Sequence, residues 1–522
     1  MHSRFLFVFI SFLGITLLTC SQTQQTPTNQ TSAQNPVTQE ENASQTMDEQ
    51  AVTLDNVPTQ LKKLIDQMHQ DPVMKHGTWA FSVQDIASGK NLVAVNPHKT
   101  LNVASSLKTV TTAAALGILG SNYTFKTYIQ YDGSLTNGIL NGNVYIKGGG
   151  DPTLGSPLLK YSLDATLNQW IAAIKKAGIR QIKGQLIIDE TLFEENVTPS
   201  GWIWADMGNY YAAPAGAINV LDNTYRLYFR PASRLNAKPK VLRTSPWIPR
   251  IKFINHLKTA AAGTGDNAYI HGAPYDNTRY INGTIPMGGT FSIKGSIPDP
   301  GFYLGVKLRE KLIQAKLMTS KNKTTTSRLL KLEQKSLGSR RTTIHTHQSI
   351  SLQKIANWIN LYSVNLYAEA VLKMIGVQKK KEGSTAAGVK AVVEYWQAKG
   401  VSKGGFHMQD GSGLAQSNGI TAYQLAQIQR LAAKQRYFTK HYNSLPIAGV
   451  SGTLKNVGVG TRAQNNLRAK TGGMTRVIAF TGYYKNRAGQ MRSFTLAANQ
   501  YNCKYTVIKA KLVRMMVAMM EL

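Results

Sequence analysis

The hydrophobic pattern of this 522-residue chain changes character twice, and those changes constrain its fold more than any other feature. Residues 57–116 indicate a helix, a pair of strands and a second, strongly apolar helix. Residues 120–345 indicate mainly short strands and turns, whereas helices and a final strand hairpin occupy 350–522. This order predicts one mixed α/β (α+β) domain that is split by a β-rich insertion.

Periodicity and turn residues place the individual elements. We predict helices at 57–68, 104–116, 167–177, 350–376, 384–399, 421–434 and the C-terminus, and strands at 79–85, 91–95, 143–147, 179–189, 476–484 and 491–498. The 104–116 segment carries apolar and small residues on all sides, which is typical of a buried helix.

The first 20 residues determine the compartment. One cation, Arg4, precedes an apolar run at 5–18 that is too short to span a bilayer comfortably and suits a signal peptide. The Leu-Leu-Thr-Cys at 17–20 resembles the lipobox of bacterial lipoproteins, which implies a lipid anchor on Cys20. An ordinary cleaved signal and an uncleaved anchor remain alternatives, and all three predict export.

Residues 21–54 predict a flexible polar tether. Within 21–50, twenty of the thirty residues are Gln, Thr, Asn or Ser, and none is Lys or Arg. Such a segment cannot bury enough apolar surface to offset the entropy of ordering it. The chain's other cysteine, Cys503, has no partner if Cys20 is acylated, and we expect a buried structural thiol.

A Ser-x-x-Lys motif places a hydroxyl and an amine one helical turn apart, where a partly desolvated lysine can act as the base for the serine. Context separates the matches, because only the first begins a strongly apolar helix after a strand pair. Its alternative interpretation is a helix-capping serine with a surface lysine. The motif occurs at Ser105/Lys108, Ser320/Lys323 and Ser351/Lys354.

Two further motifs favour the catalytic interpretation. Ser363-Val-Asn365 lies between two helical segments and offers a hydroxyl and an amide. Lys470-Thr471-Gly472 precedes the C-terminal hairpin and offers a cation, a hydroxyl and a glycine that permits close substrate approach. Ser-x-x-Lys, Ser-x-Asn and Lys-Thr-Gly in this order are the signature of penicillin-recognising serine enzymes.

The sequence resembles the class C low-molecular-mass penicillin-binding proteins, the D-alanyl-D-alanine carboxypeptidase/endopeptidase family. Beyond the three motifs, the resemblance includes the stretches at 148–154, 210–214, 365–369, 410–414, 444–449 and 452–454. The long gap between Ser105 and Ser363 is also characteristic, because that family carries an inserted domain there with another nested inside it. The resemblance implies a penicillin-binding-protein/β-lactamase-like transpeptidase domain, an antiparallel sheet flanked by helices. It would comprise residues 55–120 and 346–522, with the inserted domains at 121–345.

The resemblance also implies roles for the motif residues. Ser105 is the expected nucleophile on the carbonyl between two D-alanines, and Lys108 takes its proton. Ser363 relays a proton to the departing D-alanine, and Asn365 orients Lys108 and holds the substrate amide. Backbone N–H groups of Ser105 and Gly473 form the oxyanion hole.

Lys470 and Thr471, followed by Gly472, are expected to meet the terminal carboxylate of the substrate. The family usually has Thr or Ser at the next position, where this chain has Gly473. The backbone donor survives, but a hydroxyl near the carboxylate is lost, which predicts weaker carboxylate binding. The chemistry needs no metal and no cofactor, so we interpret His345 and His347 as surface residues.

These features predict a serine-type D-Ala-D-Ala carboxypeptidase and/or DD-endopeptidase that acts on peptidoglycan stem peptides through an acyl-enzyme. β-Lactams are then covalent inhibitors, and the location is the periplasm. The alternatives are a β-lactamase-like serine hydrolase and a non-catalytic wall-binding lipoprotein. The net charge of +33 alone suggests nucleic acid, but an exported protein meets anionic cell wall instead.

Other conspicuous residues receive structural interpretations. We expect Trp202, Trp204, Tyr210 and Tyr211 to lie in the core of the insertion rather than to form a sugar-binding platform. Asp410, in Asp-Gly-Ser-Gly, is either a residue at the edge of the site or part of a structural turn. The sequence leaves those two alternatives open.

Overall fold

A five-stranded antiparallel sheet, the central sheet, combines strands from both ends of the chain. The structure is a computed structural model, and it describes residues 57–522. The strand order is β2-β1-β22-β21-β20, so the first long strand lies beside the last one. The strands are β1 (Thr78–Asp85), β2 (Asn91–Val95), β20 (Arg468–Met474), β21 (Val477–Lys485) and β22 (Met491–Asn499).

Large side chains occupy one face of the central sheet and small ones the other, as the two-residue period of a strand allows. Phe81, Phe480 and Leu496 pack against helices α1 (Thr59–His69) and α11 (Tyr505–Ala518). On the opposite face, Ala479 and Ala497 are directly paired and join a second core with helix α2 (Lys108–Ile118). The small alanine side chains let α2 approach the sheet closely, and α2 carries Lys108.

The second core consists mainly of helices. These helices are α6 (Leu352–Tyr362), α7 (Asn365–Lys380), α8 (Thr385–Gln397), α9 (Ala422–Ala433) and α10 (Phe438–Ser444). Most of these helices bury apolar side chains in this core, and α7 is buried on all sides along most of its length. A short pair, β3 (Thr100–Leu101) with β19 (Ile420–Thr421), ties the start of this region to α9.

A second five-stranded sheet lies in the middle of the chain, in the order β17-β9-β7-β4-β18. Its strands are β4 (Lys126–Tyr131), β7 (Val144–Lys147), β9 (Leu186–Asp189), β17 (Thr324–Thr326) and β18 (Thr342–Gln348). A small sheet of β5 (Ser134–Thr136), β6 (Ile139–Asn141) and β8 (Gln181–Ile182) adjoins it in sequence. The helices of this region are α3 (Leu163–Lys176), α4 (Pro300–Gln314) and α5 (Ser327–Leu332).

Two further sheets, which we call the nested sheets, lie between β9 and α4 in the chain. One has the order β11-β10-β16, and the other is built around β15. Their strands are β10 (Thr224–Arg230), β11 (Lys240–Ser245), β12 (Lys252–Asn255), β13 (Lys258–Ala260), β14 (Asn267–His271), β15 (Thr278–Pro286) and β16 (Phe291–Ser296). Buried and exposed residues alternate along β10, so one face of its sheet meets solvent.

The mixed fold with an antiparallel sheet flanked by helices is confirmed, and the elements differ in detail. The helical region predicted at 350–376 comprises two helices with a turn at Ser363 and Val364, in agreement with the predicted position of the Ser-x-Asn motif between two helical segments. The helix predicted from 104 begins at Lys108, after a 3-10 turn at Ala104–Leu107. The Lys-Thr-Gly motif, expected ahead of the hairpin, lies within β20 itself.

Several predictions concern residues outside the described part of the chain, including the signal peptide, Cys20 and the tether. Within residues 57–522, no helix is both long and apolar enough to cross a membrane. The predicted domain boundary at 345/346 falls inside β18, and the domain division stays a prediction. Cys503 is half-buried against the core beneath the central sheet.

Candidate active site

The segment before α2 presents Ser105. Ala104 adopts a left-handed backbone (φ 45°), and the 3-10 turn Ala104–Leu107 then leads into the helix. A non-glycine residue in this region carries strain that the surrounding structure must hold, and such strain is concentrated at functional sites. Ser105 is half-buried, whereas Lys108, one turn later, is fully buried.

The Lys108 amine has three partners. Its Nζ lies 2.9 Å from Ser105 Oγ, 2.6 Å from Asn365 Oδ1 and 2.5 Å from the carbonyl oxygen of Ser412. The two carbonyl-type oxygens can only accept hydrogen bonds, and the serine hydroxyl can donate or accept. A neutral amine therefore donates to Asn365 and Ser412 and accepts from Ser105, while the ammonium donates to all three. A proton can move from Ser105 to Lys108 without any change of partners.

Burial lowers the pKa of Lys108 from its ordinary 10.5 to about 7, because the charged amine loses its hydration. The carboxyl groups of Asp410 and Glu369 oppose this effect. Glu369 is itself buried, and desolvation followed by repulsion from Asp410 raises its pKa to about 7. Lys108 therefore has a substantial neutral fraction near neutral pH, as a general base requires.

Ser363 projects from the break between α6 and α7. Its backbone is left-handed (φ 61°), and this conformation ends α6. The Lys470 ammonium donates to Ser363 Oγ at 3.0 Å and to the carbonyl of Thr471 at 2.8 Å. Lys470 is fully buried, and desolvation, followed by the charge of Lys108, holds its pKa well below the ordinary value. Each of the two serine hydroxyls thus lies within hydrogen-bond distance of a buried amine.

Strand β20 approaches the Ser105 turn so closely that glycine is required at 472. A Cβ at this position would lie 1.9 Å from the carbonyl oxygen of Val103, which no side chain tolerates. The Ser106 hydroxyl donates to the Lys470 carbonyl at 3.2 Å and fastens the two segments together. Gly473 is exposed, and a Cβ there would lie 3.4 Å from the Tyr505 hydroxyl.

The middle of the chain contributes two contacts to the site. Asn365 Nδ2 donates to the carbonyl of Tyr211 at 2.7 Å, which fixes the amide with Oδ1 toward Lys108. Trp202 Nε1 donates to Asp410 Oδ2 at 2.9 Å. Trp202 is buried, as predicted, but it packs against Ala415 of the 410–415 loop as well as Ala212. The predicted core position is wrong for Trp204 and Tyr210, which are about half exposed.

Asp410 is part of a structural turn, which resolves the alternatives left open by the sequence. Beyond the Trp202 contact, its oxygens accept from the backbone N–H groups of Gly413 and Ala415 at 2.7 Å and from Asn418 Nδ2 at 2.9 Å. These bonds shape the loop that aims the Ser412 carbonyl at Lys108. Asp410 therefore acts on the site through this backbone and through its charge, which raises the pKa of Lys108.

The structure gathers the predicted side chains into two hydrogen-bonded groups. Ser105, Lys108 and Asn365 form the first, and Ser363 and Lys470 form the second. Thr471, Gly472 and Gly473 lie along strand β20, which carries Lys470. The sequence reasoning missed the Ser412 carbonyl, the Tyr211 carbonyl and the Glu369 carboxyl. Backbone carbonyls leave no mark in a sequence. Glu369 lies one turn after Asn365, where a fully buried acid was a signal that periodicity could have found.

His345 and His347 lie in β18 and are half-buried rather than fully at the surface. The ring of His347 packs against Trp170, with centroids 5.8 Å apart. Within the described residues, no group of three or more His, Cys, Asp or Glu side chains is arranged to hold a metal ion.

Comparison with known proteins gives consistent matches. The D-Ala-D-Ala carboxypeptidase 3 (S13) family matches residues 61–519. The chain is 26% identical over 456 residues to a D-alanyl-D-alanine carboxypeptidase of Actinomadura sp. (strain R39), covering 85% of this chain and 82% of that protein. It is 25% identical over 433 residues to the D-alanyl-D-alanine carboxypeptidase DacB of Haemophilus influenzae, covering 81% and 85%.

The crystal structure of penicillin-binding protein 4 from Haemophilus influenzae has the same fold. The TM-score is 0.73 at 21% identity, over 87% of this chain and 97% of that one. That protein has also been crystallised with a β-lactam, and this second structure matches with a TM-score of 0.70 at 20% identity over the same shares of the two chains.

Proposed function

The chain belongs to the D-Ala-D-Ala carboxypeptidase 3 (S13) family and is a serine-type carboxypeptidase, and from this premise we propose how its residues carry out the reaction. Ser105 Oγ attacks the carbonyl carbon between two D-alanines of a peptidoglycan stem peptide. The observation that carries this assignment is the buried Lys108 amine at 2.9 Å from Ser105 Oγ, with its pKa lowered by burial to about 7.

In the acylation step, Lys108 accepts the Ser105 proton as the new C–O bond forms. Backbone N–H groups of Ser105 and Gly473 stabilise the negative charge on the carbonyl oxygen. The C–N bond then breaks, and Ser363 donates its proton to the departing amine. The proton that Lys108 took from Ser105 passes to Ser363, so that Ser363 acts as a relay and Lys108 is neutral again before deacylation. Lys470, at 3.0 Å from Ser363 Oγ, stabilises the negative charge that develops on this oxygen during the relay.

In the deacylation step, water attacks the ester carbonyl and Lys108 again accepts a proton. The bond between Ser105 Oγ and the carbonyl carbon breaks, and the proton returns to Ser105. Because both protonation states of Lys108 keep the same three partners, the amine needs no rearrangement between the two half-reactions. β-Lactams enter the same first step and leave a covalent adduct on Ser105.

Substrate binding uses the same strand as the oxyanion hole. Lys470 and Thr471 are placed by this proposal at the terminal carboxylate of the substrate, and Gly472 permits the close approach. The Asn365 amide has three contacts to make in this proposal. Its Oδ1 accepts from Lys108, and one of its two N–H groups donates to the Tyr211 carbonyl. The remaining N–H is free to donate to the substrate amide.

We propose a periplasmic location with a lipid anchor on Cys20 and a flexible tether at 21–54. The catalytic domain would comprise 55–120 and 346–522, and the inserted domains 121–345. The basic balance of 60 Lys+Arg against 27 Asp+Glu supports encounter with the carboxylates of cell wall, in a manner that salt weakens.

Labelling with a fluorescent penicillin tests the nucleophile. The wild-type protein should form a covalent adduct, and Ser105→Ala should abolish it. Ser320→Ala and Ser351→Ala are matched controls, because each removes a serine from another Ser-x-x-Lys sequence, and both should label normally. Labelling that persists in Ser105→Ala would refute the assignment.

The same experiment separates the alternative functions. Mass spectrometry of pentapeptide muropeptides should show release of D-alanine by the wild type and none by Ser105→Ala. Rapid turnover of penicillin without a lasting adduct would indicate a β-lactamase. Binding to sacculi without D-alanine release would indicate a non-catalytic wall-binding protein.

A further inference from the structure

We propose that the hydroxyl of Tyr505 binds the terminal carboxylate of the substrate and makes the contact that a glycine at position 473 cannot make. The inference rests on the proposed function above and deepens it, because it adds a residue that determines how the same site recognises a free carboxyl terminus. Tyr505 is the first residue of α11 and lies outside the three sequence motifs.

The pairing of β20 with β21 shows which face of the central sheet these positions occupy. Thr471 is paired with Phe480, and Gly473 is paired with Ile478. Phe480 and Ile478 both belong to the core that α11 helps to form. Directly paired residues point to the same face of a sheet, so positions 471 and 473 lie on the face that α11 covers. A side chain of α11 can therefore reach the substrate-binding strand.

The ring of Tyr505 lies against Gly473. A Cβ built on Gly473 would be 3.4 Å from Tyr505 Oη, 3.6 Å from its Cε2 and 3.8 Å from its Cζ, which are ordinary van der Waals distances. The hydroxyl end of the tyrosine is thus the part that comes nearest to this position. A threonine hydroxyl at 473 and the phenol hydroxyl of Tyr505 would serve the same space beside the strand.

Two hydroxyl groups on this face are available to a ligand. Thr471 uses its carbonyl in a bond with Lys470, and within residues 57–522 neither Thr471 Oγ1 nor Tyr505 Oη forms a hydrogen bond. Tyr505 is 41% exposed, and Thr471 is half-buried. Positions 471 and 473 are about 6.6 Å apart along the strand. A carboxylate that accepts one hydrogen bond with each of its two oxygens spans this separation.

The charge of the surrounding segment favours an anion. Residues 451–520, which include β20, β21, β22 and α11, contain twelve Lys and Arg and no Asp or Glu. Four of these cations pair with acids of other segments. The remaining eight form no ion pair within residues 57–522. A substrate carboxylate at this edge of the sheet therefore meets a positive field, in which a phenol adds a donor and no opposing charge.

Tyr505 remains a donor at the pH at which the reaction proceeds. Burial raises the pKa of Tyr505 above its ordinary value of 10.0. Lys108, with a pKa of about 7, becomes neutral well below that range. The phenol therefore keeps its proton under the conditions in which Lys108 accepts one from Ser105.

The variant that tests the proposal must separate the hydroxyl from the ring, because the ring also packs against the strand. Tyr505→Phe removes only the oxygen. With a peptide that ends in D-Ala-D-Ala, KM should rise by about tenfold and kcat should stay nearly constant, since a charge-assisted hydrogen bond to an unreacting group is lost. Steady-state measurement of D-alanine release gives both values. An unchanged KM would overturn the proposal.

A peptide with a terminal carboxamide identifies the carboxylate as the partner. Its inhibition constant is measured against the D-Ala-D-Ala peptide for the wild type and for Tyr505→Phe. The two constants should agree within about twofold, because the charge that strengthens the hydrogen bond is absent from the carboxamide. A tenfold difference with the carboxamide as well would show that the hydroxyl acts on the shape of the site, and it would overturn the proposal.

A matched control removes an equally exposed phenol hydroxyl elsewhere. Tyr280 on β15 of the nested sheets is 40% exposed, against 41% for Tyr505. Tyr280→Phe should keep the wild-type KM. A rise equal to that of Tyr505→Phe would contradict a specific role for Tyr505.

Rescue by the missing side chain provides a stricter test. In the Tyr505→Phe background, Gly473→Thr should lower KM by about five- to tenfold, which is more than its effect on the wild type. The gains differ because the two hydroxyls serve one carboxylate, and groups with a shared partner are not additive. Equal gains in the two backgrounds would show that the hydroxyls act independently and would overturn the proposal.

Penicillin labelling distinguishes failure of this inference from failure of the proposed function. Tyr505→Phe retains Ser105 and Lys108, so it should still form the covalent adduct, with a lower second-order rate constant because penicillin also carries a carboxylate. Normal D-alanine release with equal KM in wild type and variant would overturn the role of Tyr505 alone. No adduct and no D-alanine release by the wild type would overturn both.

Discussion

The central sheet and the nested sheets differ in how far their strands are buried from water. In β21, eight of nine residues are buried, since helices cover both faces of the central sheet. In β11 of the nested sheets, no residue is fully buried. Removal of water from the first region shifts the pKa values of Lys108 and Lys470, which the chemistry uses. In the second region, side chains such as Arg226 and Lys294 stay exposed to water. The two regions thus differ in burial, and the buried one holds the amines that the chemistry uses.

The largest expected effect is on stability. Two leucines, one in each region, test whether the central sheet and the nested sheets differ in how much burial stabilises them. Leu496 on β22 is fully buried, whereas Leu242 on β11 is 38% exposed. Leu496→Ala should lower the free energy of unfolding by about 2–5 kcal/mol through lost burial and a cavity. Leu242→Ala should cost less than about 1 kcal/mol. Chemical denaturation measures both, and equal losses would contradict the contrast between the two sheets.

A smaller effect concerns the pH dependence of penicillin acylation, which reports the pKa of the buried Lys108. Burial sets the pKa of Lys108 at about 7, and only the neutral amine accepts a proton, so penicillin acylation should rise as pH increases through 7 and fall below it. The Glu369 carboxylate raises the pKa of Lys108. Glu369→Gln keeps an acceptor for the Gly411 N–H and removes the charge, so the acid limb should move to lower pH by about half a unit.

The pH profile has a matched surface control. Glu394→Gln removes an exposed carboxylate that pairs with Lys380 and is not among the groups that shift the pKa of Lys108. Its acylation profile should match that of the wild type. A Glu369→Gln profile that stays in place, or moves to higher pH, would show that the charge of Glu369 does not act on Lys108.

The smallest effect concerns the edge of the central sheet. Gly473→Thr restores a hydroxyl beside the substrate carboxylate and should lower KM for a free D-Ala-D-Ala terminus by about two- to fivefold. The gain is modest because the Tyr505 hydroxyl already lies 3.4 Å from where the new Cβ would stand. Steady-state kinetics measure it, with unchanged melting temperature as the control for folding. An unchanged KM would count against a carboxylate role for this position.

The sequence was sufficient where short-range patterns determine the outcome. Ser105 and Lys108 are three residues apart, which places them one helical turn from each other. In the structure, Lys108 Nζ lies 2.9 Å from Ser105 Oγ. Strands β1, β2, β21 and β22 were predictable because their alternation and turns are local. The separation of the motifs along the chain also indicated a large insertion between them.

The remainder depends on contacts between distant segments. The residues of β20 have weak strand propensity and form a strand because β21 pairs with them. The Ser412 carbonyl reaches Lys108 across 304 positions in sequence, and no residue type announces such a contact. Trp204 and Tyr210 are about half exposed, and the burial of an aromatic residue depends on which distant segments pack against it. Composition also could not reveal that Arg226 on β10 and Lys294 on β16 are paired across the two strands.

The pairing of β1 with β22 has a consequence for the timing of activity. The central sheet cannot close until the last strand has been synthesised, since β22 lies between β1 and β21. Lys108 likewise gains its partners Asn365 and Ser412 only from later parts of the chain, and Ser363 gains its partner Lys470 from a part later still. Contacts of such sequence separation slow folding, because the entropy of closing long loops must be lost before they form. We therefore expect a chain that ends before β22 to lack hydrolase activity, since neither the central sheet nor the complete site could form.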